Sequence, residues 1–278
     1  MTTTATGGSG FWGRPTLWKA VLFVLAYLVF YLVVGWIVDA VFDGPINEDD
    51  ILADFLSIFF GLVLPIVIGG AAIAFFAARQ GWLSEIFRAQ PVRGRRWMWI
   101  GPILAATAIV GHMFGTDWGA WGTGQLLAMV LLGASVGFTE ELATRGVVVK
   151  MMRDAHHGEK FVALISSLLF ALMHMTNLIS GMEPSTVAAT VVYTFGFGMC
   201  MYMAMRVTGT IWAAIILHAL TDPTTFLASG GLDKAVTDQS SGASVLAVTA
   251  TVLIVIVGFV SVFFVRGRAS GPAVPADA

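Results

Sequence analysis

The stretch GQLLAMVLLGASVGFTEELATRGVVVK, Gly124 to Lys150, decides how this chain is read. Gly124 to Thr139 carry no charge, and then Glu140, Glu141 and Arg145 arrive with no turn signal before the apolar residues resume. As one helix the stretch spans roughly 40 Å at 1.5 Å per residue. That exceeds the hydrocarbon core of a bilayer, about 30 Å, so its C-terminal end projects beyond the membrane. A charged side chain near the centre of such a helix costs about 2.5–3.5 kcal/mol on insertion scales. Three of them in six positions demand partners inside a helix bundle, or a chemical use.

The rest of the chain has the same character. Of its 278 residues 57% are hydrophobic and only 12% are charged, where a soluble domain carries about 25%. Apolar runs long enough to cross a membrane recur at about 17–40, 51–78, 97–114, 124–150, 160–181, 185–206, 210–229 and 243–265. The expected fold is all-α, a polytopic transmembrane bundle of about eight helices. Charges between the runs agree with that count. Arg14, Lys19, Arg79, Arg88, Arg93, Arg95, Arg96, Lys150, Arg153, Lys160, Arg206, Arg266 and Arg268 all fall on one side if eight helices alternate. Asp43, Glu48, Asp49, Asp50, Asp117, Glu183, Asp233 and Asp238 fall on the other, with Lys234 the one basic residue among them. By the positive-inside rule both termini are cytoplasmic and the chain is a multi-pass membrane protein, expected in the cell membrane. There is no dense basic face suited to nucleic acid. Cys200 is the only cysteine, in a Met-rich run that reads as packing.

Once the loop charges are assigned, Glu140, Glu141, Arg145, His174, His218 and Asp222 remain within the helices. Glu140 lies about 15 Å along its helix from Lys150, His174 about 21 Å from Lys160, and His218 about 18 Å from Arg206. Three helices distant in sequence therefore place acid or imidazole groups at similar depth. Glu141 and Arg145, at i and i+4, share a face and suit an ion pair. Glu140 points about 100° away and is not consumed by that pair. Phe170 and His174 share a face, and Asn177 follows one turn on, able to bond a neighbour or a substrate backbone. His218 and Asp222 are one turn apart, so the carboxylate can orient the ring. Pro223 withdraws the amide that would bond the Ala219 carbonyl and predicts a kink beside the site.

The motifs EELATR (Glu140–Arg145), FALMH (Phe170–His174) and HALTD (His218–Asp222), in that order on successive helices, resemble the EExxxR, FxxxH and HxxxN/D set of the CPBP family. That is the CAAX-protease and bacteriocin-processing (Abi) group of intramembrane endopeptidases. The resemblance implies peptide-bond hydrolysis in a polar cavity open to the cytoplasmic half of the membrane. Glu140 would activate water as general base, His174 would position it, and His218 would polarise the scissile carbonyl. Glu141, Arg145 and Asp222 would complete the catalytic set, with Asn177 and Phe170 as substrate or site support. Relatives often carry Asn at the position of Asp222, and an ionised Asp cannot donate a hydrogen bond there. The resemblance leaves two forms open, glutamate-dependent without a cofactor, or zinc-dependent through His174, His218 and Glu140.

The expected organisation is a flexible tail (1–16), three N-terminal helices (17–123), a four-helix catalytic core (124–229) and a last helix with a short tail (230–278). The expected partners are the lipid bilayer and a peptide or membrane-anchored protein substrate, with no nucleic acid. A catalytically silent membrane immunity or scaffold protein and a proton-coupled transporter are the alternatives.

Overall fold

The computed structural model describes residues 10–47, 49–231 and 241–269, and the regular structure among them is entirely helical. Glu48, Asp233, Lys234 and Asp238 of the charge pattern lie outside the described residues. Eight helices are long and apolar enough to cross a membrane: α1 (Leu17–Val41), α2 (Phe55–Arg79), α3 (Arg96–Gly115), α4 (Thr123–Asp154), α5 (Glu159–Leu178), α6 (Pro184–Thr208), α7 (Ile211–Ser229) and α8 (Gly242–Ser261). Their edges lie within about one turn of those expected.

Local chemistry explains the departures. Helix α2 starts after Asp54 because that carboxylate accepts the Ser57 N–H at 2.9 Å and caps the helix. Pro65 lacks an N–H, and the helix before it widens into a π turn at Phe59–Val63, with the Leu64 N–H donating to the Phe59 carbonyl. A second π segment, Leu142–Val148, begins directly after Glu141. Thr144 there turns its hydroxyl onto the Glu140 carbonyl at 2.6 Å, supplying a partner where the backbone ladder changes register. Helix α7 continues through Pro223 to Ser229.

Helix α6 is the most enclosed, packed on by α3, α5, α7 and α8. Met199 to Met205 are fully buried, so the Met-rich run and Cys200 are core. Glycines set the close approaches. A Cβ on Gly196 would press on Val255 and Ile254 of α8, and one on Gly111 would press on Ala247. Gly133 and Gly137, a GxxxG pair on α4, abut the α7 backbone. Helix α2 packs on α4 and α1 packs on α2, so the first two helices flank the α4 charges.

One end of the bundle gathers the even-numbered connections. Arg153 donates to both carboxylate oxygens of Glu159 at 2.8 and 2.9 Å and to Gln90 at 2.6 Å. Arg206 donates to Glu159 at 2.6 Å, and the Tyr202 hydroxyl joins them. The Glu159 N–H donates to the Gly267 carbonyl, and the Gly94 N–H to that of Arg206. The segment before α1 is at the same end, with Trp12 edge-on to Phe76 near the close of α2. Both described chain ends therefore lie on one side, as an even helix count requires. Of the tail expected to be flexible, Phe11–Gly13 form a 3-10 turn. It is held because the Lys19 ammonium donates to the Phe11 and Arg14 carbonyls.

Candidate active site

Close packing of α4 on α7 aligns Glu141 with His218. Glu141 is fully buried, and its Oε1 takes two donors: Arg145 Nη1 at 3.0 Å and His218 Nδ1 at 2.9 Å. The expected Glu141–Arg145 pair is present across the π segment. Arg145 also donates to Thr144 Oγ1 at 2.6 Å and to the Gly198 carbonyl at 2.7 Å, and its guanidinium stacks over Phe170 at 4.5 Å. A buried cation thus meets a carboxylate, a hydroxyl, a carbonyl and an aromatic face. Charges are tolerated away from water when held in this way.

His218 is almost completely buried, with Phe170 and Phe197 edge-on to its ring at 5.6 and 5.1 Å. A carboxylate only accepts, so Nδ1 carries the proton of its bond to Glu141. The other nitrogen, Nε2, lies 3.8 Å from Glu140 Oε2 and 3.6 Å from Asp222 Oδ2. The orienting contact therefore differs from the one expected. Asp222 stands one turn away on the same helix but beyond hydrogen-bonding distance, whereas Glu141 reaches across from α4. The reason is steric: at the glycine pair the two backbones approach closely enough for a glutamate to span the gap.

Glu140 stands apart from this network. Its Oε2 is buried and has no hydrogen-bond partner among the described residues. A cavity of about 100 Å³ opens beside it, room for several water molecules. Met173, His174, Thr176 and Asn177 of α5 form one wall; Tyr27, Leu28 and Tyr31 of α1, with Ile66 of α2, form the other. His174 Nδ1 lies 3.1 Å from the Phe170 carbonyl. A carbonyl is acceptor only, so Nδ1–H donates to it, and Nε2 is the nitrogen left for the cavity. The Phe170 ring packs edge-on to His174 at 5.2 Å, as their spacing predicts. Asn177 lines the cavity with one long contact, to Met182 Sδ at 4.0 Å.

Glu140, Glu141, Arg145, Phe170, His174, Asn177, His218 and Asp222 are thus brought into one region of the bundle. Two features were missed. Tyr27 and Tyr31 belong to a helix that the motifs do not reach, although they carry the only hydroxyls between Ala20 and Val38, a signal open to inspection. The cavity also has a wall from α2. Among the described residues no three His, Cys, Asp or Glu side chains are grouped as a metal ion requires. His218 bonds Glu141 through Nδ1 and turns Nε2 toward Glu140.

Residues 120–224 match a family model described as type II CAAX prenyl endopeptidase Rce1-like, and this segment is a domain of the CPBP family. The match spans α4 to most of α7 and covers every motif residue named above. Neither a search of curated proteins nor one of solved structures gives a match.

Proposed function

We propose that the chain is an intramembrane endopeptidase in which Glu140 activates a water molecule against a peptide bond. The observation that carries the reading is the Glu140 carboxylate set on a cavity with room for water and shared with His174, its Oε2 buried without a hydrogen-bond partner among the described residues and 3.8 Å from His218 Nε2. A carboxylate oxygen buried without a partner is costly, and such groups cluster where chemistry is done.

Glu140 accepts a proton from water as the water oxygen bonds to the scissile carbonyl carbon. His174 Nε2 accepts the water's other hydrogen bond and fixes its approach. Charge develops on the carbonyl oxygen, where His218 Nε2–H donates to it. With Nδ1 bonded to Glu141, a proton on Nε2 makes the ring an imidazolium, flanked by Glu140, Glu141 and Asp222. The C–N bond then breaks as Glu140 returns its proton to the departing nitrogen. Arg145 holds Glu141, and Glu141 holds His218. Both termini are cytoplasmic in this reading. The substrate is a peptide or the tail of a membrane-anchored protein, reached within the bilayer. The matched family model is described as a type II CAAX prenyl endopeptidase, and a lipid-anchored chain end is one substrate of the proposed kind.

The test is cleavage of a quenched-fluorescent peptide library by the detergent-solubilised protein, wild type beside Glu140→Gln, with and without a zinc chelator. The expected result is cleavage by the wild type, loss of at least about 10²-fold in the variant, and no effect of chelator. Equal cleavage by both proteins removes Glu140 from the mechanism. Cleavage abolished by the chelator and restored by zinc overturns the metal-free form.

A further inference from the structure

The cavity has a polar wall that lies outside the family-matched segment. Tyr27 and Tyr31, at i and i+4 on α1, stack with ring centroids 6.3 Å apart and both face the space beside Glu140. Tyr27 is 8% exposed and Tyr31 is half-buried, and their hydroxyls, unpaired among the described residues, are not sealed from solvent-sized space but open onto it beside Glu140. Phenylalanine would fill the same volume, and Phe23 and Phe30 occupy other positions of this helix. The hydroxyls are therefore not explained by packing.

They are nonetheless held in place. Gly69 of α2 lies against the Tyr27 ring: a Cβ there would stand 3.1 Å from a ring carbon and 3.5 Å from the hydroxyl oxygen. On the opposite wall the Asn177 amide has only its long contact to sulfur. Two donor–acceptor phenols thus face a nearly free amide across a cavity containing a catalytic carboxylate.

An extended peptide entering such a place leaves water with its backbone N–H and C=O groups unpaired, and a membrane interior offers no replacement. We propose that Tyr27 and Tyr31, opposite Asn177, bind the extended backbone of the substrate beside the scissile bond and hold it against Glu140. This assignment rests on the hydrolytic reading above. It gives α1 a substrate-binding role, and it makes recognition in the cavity a matter of backbone rather than of side-chain identity.

The experiment uses the full chain in detergent and the library peptide that the wild type cuts fastest. Tyr27→Phe, Tyr31→Phe and the double variant are compared with the wild type for KM, kcat and thermal melting. Affinity for the same peptide is measured by fluorescence anisotropy in the Glu140→Gln background. The expected result is a KM and a dissociation constant raised about three- to tenfold by each substitution, with the melting midpoint unchanged. A companion peptide, methylated on the backbone nitrogens flanking the scissile bond, loses the N–H groups the phenols would accept from and should show a smaller difference between wild type and double variant. Wild-type KM and affinity in the double variant, while Glu140→Gln is inactive, would overturn the tyrosine assignment and leave the protease reading standing. If Glu140→Gln cleaves as well as the wild type, or the wild type cleaves no peptide, the protease reading falls and the tyrosine assignment falls with it.

Discussion

Gly137→Ala tests whether helix spacing sets the site. A Cβ at Gly137 would lie 2.6 Å from the Ala219 nitrogen, 2.7 Å from the Ile215 carbonyl oxygen and 2.9 Å from the Ala219 Cα. All three are backbone atoms of α7, so no side chain can swing aside. To restore a contact of 3.4 Å the helix must recede by about 0.8 Å. His218, three residues from Ile215, moves with it, and its 2.9 Å bond to Glu141 stretches to about 3.7 Å, beyond hydrogen-bonding distance. Overpacking of this kind costs about 1–3 kcal/mol, offset by about 0.5–1 kcal/mol from replacing a helical glycine. The protein should therefore fold with a modestly lower melting midpoint. Its kcat should fall far more, by about 10²-fold, the effect of a displacement near 1 Å in a catalytic group. The assay is cleavage of one library peptide together with a thermal melt. Gly35→Ala is the control, since a Cβ there meets nothing within 4 Å. If Gly137→Ala cleaves at the wild-type rate, the glycine pair does not set the catalytic geometry and the spacing argument is wrong.

Two further outcomes follow from the same contacts. Arg145→Met leaves the fully buried Glu141 and the Gly198 carbonyl without their donor, a loss of about 3–5 kcal/mol seen as reduced yield and melting temperature. Arg145→Lys should not rescue it, because one ammonium cannot reproduce a planar fork meeting several acceptors; equal stability of the lysine variant would refute this. Glu141→Gln and Asp222→Asn should separate sharply in kcat. Glu141 accepts from Nδ1 at 2.9 Å, and its replacement should cost at least about 10²-fold, as for other carboxylates that fix a catalytic imidazole. Asp222 stands 3.6 Å from Nε2, and its replacement should cost less than about tenfold. The reverse order in peptide cleavage would return the orienting role to Asp222.

The contrast between Glu141 and Asp222 shows where a sequence stops being legible. Helix number and edges could be read because a bilayer imposes long apolar runs and sorts the charges between them. The meeting of Glu140, His174 and His218 could be read because depth along a helix is a matter of counting residues from its charged end. Rotation of one helix against another is different. Spacing puts His218 and Asp222 on one face of α7, and it equally puts Glu141 and Arg145 on one face of α4. Which carboxylate takes the imidazole proton depends on how far apart the two axes lie. Gly133 and Gly137 decide that distance, and they carry no chemistry to mark them as part of a site. Their spacing, small residues four apart within a membrane helix, is itself a packing signal, and coupled to the depth argument it would have favoured Glu141. The tyrosines were hidden for the same reason, since their link to Glu140 runs through α2, where Gly69 faces Tyr27 and Gly70 faces Thr139, the residue before Glu140. A substitution at Gly69 or Gly70 should therefore disturb the site from outside the matched segment. The glycines of this bundle belong to its chemistry as much as the residues that carry protons.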